Sequence, residues 1–105
     1  MALPPLTPDQ RAAALEKAAA ARRERADVKA RLKQGELSLR AVVAQGKSSE
    51  VIGKMRVSDL LASLPGIGKM RARQIMEEVG ISESRRVRGL GLNQQAALLE
   101  RFGQA

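Results

Sequence analysis

Two short stretches hold the residue types from which chemistry could be built. The first, Leu64 to Met76, reads LPGIGKMRARQIM. Pro65 fixes the backbone at the end of one helix, and Gly66 and Gly68 free it before the next. Successive main-chain N–H groups around Ile67 can then point out of the turn toward one anion, helped by the positive end of the following helix. A side chain at Gly66 or Gly68 would hold that anion off, and Lys69, Arg71 and Arg73 add charge just behind. The second stretch, Ser84 to Gly91, reads SRRVRGLG and is the densest basic spot outside the N-terminal region. The guanidinium groups of Arg85, Arg86 and Arg88 present a flat fork of donors that suits phosphate oxygens better than an ammonium point charge. Plainer explanations exist for both: a tight corner between helices, and a solvated turn with one arginine capping carbonyls. The arginines around the corner favour phosphate.

Other chemistry is poorly supplied. The chain has no cysteine and no histidine, which removes thiolate nucleophiles, thiolate metal sites and the commonest general base. Its three aspartates, Asp9, Asp27 and Asp59, lie far apart. Downstream of Gly68 the acids are Glu77, Glu78, Glu83 and Glu100, an unpromising set for excising a flipped base. No enzyme, cofactor or metal is expected.

The 105 residues suffice for one modest core. With Lys+Arg 19 against Asp+Glu 11, the net charge of +8 favours a polyanionic partner. The start, MALPPLTPDQ, has no basic flank ahead of an apolar core, and no apolar run approaches the ~18 residues of a membrane span. A cytoplasmic location is therefore expected, with no membrane partner. One phenylalanine is the whole aromatic complement. Readers of single strands and RNA loops stack bases on aromatic rings, whereas gripping a duplex backbone needs none, so double-stranded DNA is favoured and a folded RNA helix remains the alternative.

The elements that must position these groups read as helices throughout. Thr7, Pro8 and Gln10 form a capping box. Alanine-rich sequence then sustains a helix to about Lys33, ended by Gly35. Its apolar face is thin, with Leu15 and Leu32 the larger members. Its basic residues outnumber its acids eight to four, and Arg22, Arg25 and Lys29 share one flank that could follow a phosphate rail or could equally be solvated surface. A second helix fits ELSLRAVVAQ, closed by Gly46, followed by a loop or linker over GKSSEVIGKM that Val51 and Ile52 pin down. Val57, Leu60, Leu61 and Leu64 repeat at helical spacing in VSDLLASLP, capped by Ser58 and stopped by Pro65. Ala72, Ile75, Met76 and Val79 do the same in KMRARQIMEEV, with Gly80 past the end and Ile81 folding back. A last helix from about Asn93 faces Ala96, Leu99 and Phe102 inward. Met55, Met70, Met76 and Phe102 are assigned to the core or its rim. The chain is predicted to be all-α: a long basic N-terminal helix (1–34) and a compact helical domain (35–105) of about four helices.

LLASLPGIGKMRARQIMEEVGI resembles a helix–hairpin–helix. Extended through SESRRVRGLGLNQQAALLERF, it is similar to the helix–two-turns–helix module of one small-subunit ribosomal protein and some DNA-repair glycosylases, here over about 57–103. With LKQGELSLRAVVAQG and VIGKMRVSDLL upstream, the run from about Arg31 to Phe102 closely resembles the actinobacterial integration host factor family. That resemblance implies a nucleoid-associated protein that binds and bends duplex DNA with little sequence preference, affects topology and chromosome condensation, and assists site-specific integration. It also implies that phage integrase and topoisomerase meet it through DNA, and that Arg85, Arg86 and Arg88 are the family's phosphate cluster. A bipartite grip follows, with Pro65 to Lys69 on one phosphate stretch and the arginine trio on a neighbouring one. The protein is expected to be a monomer in solution. A ribosomal kind of RNA binding is the alternative.

Overall fold

The computed structural model describes residues 4–102, and among them six α-helices. They are α1 (Pro8–Lys33), α2 (Leu39–Gln45), α3 (Glu50–Gly53), α4 (Val57–Ala62), α5 (Lys69–Val79) and α6 (Leu92–Arg101), with a 3-10 turn at Val87–Gly89. The all-α architecture and long first helix match the periodicity.

The capping box opens α1 as expected. The Gln10 amide donates to Thr7 Oγ1 at 3.1 Å and the Thr7 amide donates to Gln10 Oε1 at 3.0 Å. Gly35, with φ +77, lies just past its end. Only Val28 and Leu32 of α1 are buried, while Leu15 is exposed. The first four turns are thus held by alanine propensity rather than by packing. The core gathers Leu39, Val42 and Val43 of α2 with Leu60 and Leu61 of α4, Ala72, Ile75 and Met76 of α5, and Leu98 of α6.

Local details depart from the sequence pattern. α2 starts at Leu39 because Ser38 caps it, accepting from the Ala41 amide at 3.1 Å. The segment read as a loop contains α3, one turn capped by Ser49 and anchored by buried Ile52. A single turn is too short for a helical period to show. Ser58 does not cap α4; it lies inside the helix, and Arg56 at the cap makes no side-chain bond. On α6 the inward face is set by Leu98, with Leu99 and Phe102 partly buried, and Ala96 is exposed. Met70 is not at the core rim but is 87% exposed. It sits two residues before Ala72, about 200° round the helix from the buried stripe.

Candidate nucleic-acid interface

Packing of α4 on α5 through Leu60, Leu61, Leu64, Ala72, Ile75 and Met76 fixes the turn between them. The Ile67 amide donates to the Leu64 carbonyl at 3.1 Å, and the half-buried Ile67 side chain packs on the core and pins the loop. The two glycines have different reasons. Gly66 has φ +76, a left-handed conformation that other residues adopt only with strain. Gly68 has φ −99, open to any residue, and a Cβ there would meet nothing within 4 Å. Contrary to the expectation that both glycines free the backbone, Gly68 satisfies neither a conformational nor a packing demand.

What the bare Gly68 leaves is access. It is the N-cap of α5 with no side-chain cap, as are Arg56 for α4 and Gly91 for α6, whereas Thr7, Ser38 and Ser49 cap α1, α2 and α3. Among the described residues nothing accepts from the amides of Gly68, Lys69, Met70 and Arg71. Four exposed donors at the positive end of an 11-residue helix suit one anionic oxygen cluster. Lys69 and Arg71 flank them in solvent.

The arginine trio is positioned by a short antiparallel pairing that sequence patterning does not reveal. The Val57 amide donates to the Arg85 carbonyl at 3.0 Å and the Val87 amide to the Met55 carbonyl at 2.9 Å. Met55, Val57 and Val87 turn inward, so the paired Arg56 and Arg86 remain in solvent side by side. Arg86 Nη1 donates to the Lys54 carbonyl at 2.7 Å, which holds its stem while leaving other donors free. Arg85 Nη1 donates to the Gly89 carbonyl at 3.1 Å. The stem of Arg88 lies over Gly53, where a Cβ would come within 3.3 Å of it. Among the described residues none of the three is ion-paired.

Two grooves join these groups. One, about 280 Å³, is lined by Arg25 and Lys29 of α1 with Lys54, Arg56, Asp59 and Arg86. The fold thus brings part of the α1 flank to the arginine cluster, though Arg22 lines no part of this groove. The other, about 270 Å³, continues from Arg56 and Asp59 to Lys69, Arg73 and Glu83 beside the hairpin. Arg56 borders both. Lys54 and Arg56 were missed in the sequence because one ends the stretch read as linker and the other falls between it and the helix from Val57, and their basic character is the only signal.

Arg73 is less available than its neighbours, since its Nε pairs with Glu83 Oε1 at 2.6 Å. Lys54 Nζ lies 2.8 Å from Glu50 Oε1, and that contact, with Lys17 and Arg88 adding attraction, holds the Glu50 carboxyl below the usual carboxylate range. Among the described residues no cluster of acids could hold a metal ion, and no helix is long and apolar enough to cross a membrane.

Residues 32–102 match the model of the S13-like H2TH domain. The integration host factor of Streptomyces coelicolor is 72% identical over 103 residues, covering 98% of this chain and 96% of the relative. That of Mycobacterium tuberculosis is 59% identical over 105 residues, covering both chains completely. A solved structure of sIHF bound to an 8bp palindromic DNA superposes with a TM-score of 0.83 at 68% identity, covering 84% of this chain and 99% of that one.

Proposed function

The chain belongs to the integration host factor family, built on an S13-like H2TH domain, and from that premise we propose that it grips duplex DNA by its phosphates and bends it. Gly68 is the observation that supports this most: an uncapped helix start where neither backbone nor packing calls for glycine, beside cations. One phosphate sits on the amides from Gly68 to Arg71. A neighbouring stretch meets Arg85, Arg86 and Arg88, with Arg56, Lys54, Arg25 and Lys29 continuing the rail along α1. The solved sIHF complex with DNA supports the choice of duplex.

Phosphate contacts position a protein without reading bases, so preference among sequences is weak. Contacts on two faces joined by grooves favour a curved DNA path. The working role is nucleoid organisation in the cytoplasm, with residues 1–34 as a basic arm to a 35–105 body, and with effects on topology and site-specific integration exerted through DNA. No catalytic step is part of this role.

The test is titration of the full chain against duplexes of unrelated sequence across a salt series. Four to six phosphate contacts give a slope of roughly −4 to −5 in log K against log salt, with similar affinity for each sequence. Replacing Arg85 and Arg86 together with Ala flattens the slope by about 1 per lost contact. Preference for structured RNA over duplex DNA at one salt concentration, or a slope near zero, overturns the reading.

A further inference from the structure

Gly46 and Gly53 stand apart from the other glycines among the described residues. Gly46 has φ −62 and Gly53 ends α3, so neither backbone conformation calls for glycine. Glycine even weakens a helix relative to alanine. Their surroundings explain them. A Cβ on Gly46 would lie 2.5 Å from Val87 Cγ1, and one on Gly53 would lie 2.6 Å from the Gly46 carbonyl oxygen. At every other described glycine the nearest atom lies at 3.4 Å or beyond. Both glycines are buried, and what rests on them is the 3-10 turn at Val87–Gly89. Val87 sets a methyl on Gly46, while Arg88 crosses Gly53 with its Cβ and Cδ at 3.3 and 3.5 Å from the missing Cβ position. We propose that Gly46 and Gly53 are positioning residues for DNA binding, a bare seat that lays the Arg88 stem flat across α3 with its guanidinium already placed for a phosphate. This rests on the arginine phosphate contacts proposed above.

The seat acts through the freedom of one long side chain. An arginine can bury its stem along a surface while its head stays in water, and Arg88 is exposed although Val87 beside it is buried. A stem free in solvent loses rotamer freedom when its head takes a phosphate, whereas one already lying against Gly53 has less to lose. The Val87 amide ties the same turn to the Met55 carbonyl at 2.9 Å, so the turn itself stays in place. A methyl at Gly53 therefore displaces the stem above all, and the contact with the Gly46 carbonyl adds a separate cost in stability that does not involve Arg88.

That separation gives the experiment. Duplex binding and melting temperature are measured on the full chain, Gly53→Ala, Arg88→Ala and the double variant, all well below their melting points. With Arg88 present, Gly53→Ala should weaken binding about fivefold. With Arg88→Ala, the same change should matter by less than about twofold. Melting temperature should fall by a similar amount in both backgrounds. Equal losses of DNA affinity in both, or none in either, overturns the assignment. Should Gly53→Ala not fold, Gly46→Ala tests the same seat: it should weaken binding, and adding Val87→Ala, which removes the methyl at 2.5 Å, should restore it. A folded Gly46→Ala/Val87→Ala chain that still binds weakly overturns the assignment equally. If Arg88→Ala alone flattens the salt slope by about 0.9 while both glycine variants bind normally, only the seat falls. If Arg88→Ala binds like the unaltered chain at every salt concentration, the phosphate reading of Arg88 falls with it.

Discussion

Replacing Arg86 with Ala isolates one phosphate contact with a calculable signature. Its backbone pairs with Arg56 and one guanidinium nitrogen bonds the Lys54 carbonyl at 2.7 Å, so the strand pairing survives and one exposed hydrogen bond is lost. That loss costs stability about 1 kcal/mol. On DNA, one neutralised phosphate fewer reduces the salt slope by about 0.9. At about 150 mM salt the missing counterion release alone weakens binding about fivefold, and at about 50 mM about fifteenfold. The relative defect is therefore about threefold larger at the lower salt. Arg86→Lys keeps most of the slope but loses the fork geometry. Fluorescence anisotropy on a labelled duplex, with circular dichroism to confirm helicity, reads all of these. A defect that is constant across salt would mean that Arg86 only supports the loop, and no defect would remove it from the interface.

The acids beside the interface give two further expectations. Glu83→Gln releases Arg73 from its 2.6 Å pair and takes a negative charge from the hairpin groove. Affinity for DNA should rise about two- to fivefold, while stability shifts by less than about 1 kcal/mol because the pair is exposed; a fall in affinity would show that the pair instead orients Arg73. Glu50 has its carboxyl held below its ordinary range by Lys54, so its small stabilising effect is complete above that range and is lost as pH falls through the lowered value. Glu50→Gln should then melt earlier than the unaltered chain at neutral pH and together with it once both are acidified past that point. A difference that persists in acid would locate the effect in packing rather than charge.

Much of the fold could be read from one dimension. Thr7, Pro8 and Gln10 signal the start of α1 through local bonds that need no tertiary partner, and the 72-75-76-79 spacing gives α5 its buried stripe. Positions decided by tertiary structure were less legible. α3 owes its existence to the burial of Ile52 and the Ser49 cap, within a span shorter than one period. Met70 is basic-helix surface although its type suggests core, because its angle on α5 rather than its hydropathy decides burial. At the site, the hairpin and the arginine trio are contiguous runs of charge and glycine and announce themselves. The adjacency of Arg56 and Arg86, and their closure against Arg25 and Lys29, depends on pairing between segments 30 residues apart, which no local pattern encodes. The distinct reasons for Gly66 and Gly68 likewise emerge only from their dihedral angles.

Gly68→Asp tests the main-chain phosphate site most directly, because the account gives its two effects opposite signs. A carboxylate at the N-cap bonds the open amides and complements the α5 dipole, worth about 0.3–1 kcal/mol, and nothing lies within 4 Å to clash with its Cβ. The melting temperature should hold or rise by a few degrees, while affinity for duplex DNA falls at least about tenfold as the carboxylate occupies and repels the phosphate position. Unimpaired DNA binding by a stably folded Gly68→Asp chain would contradict the account.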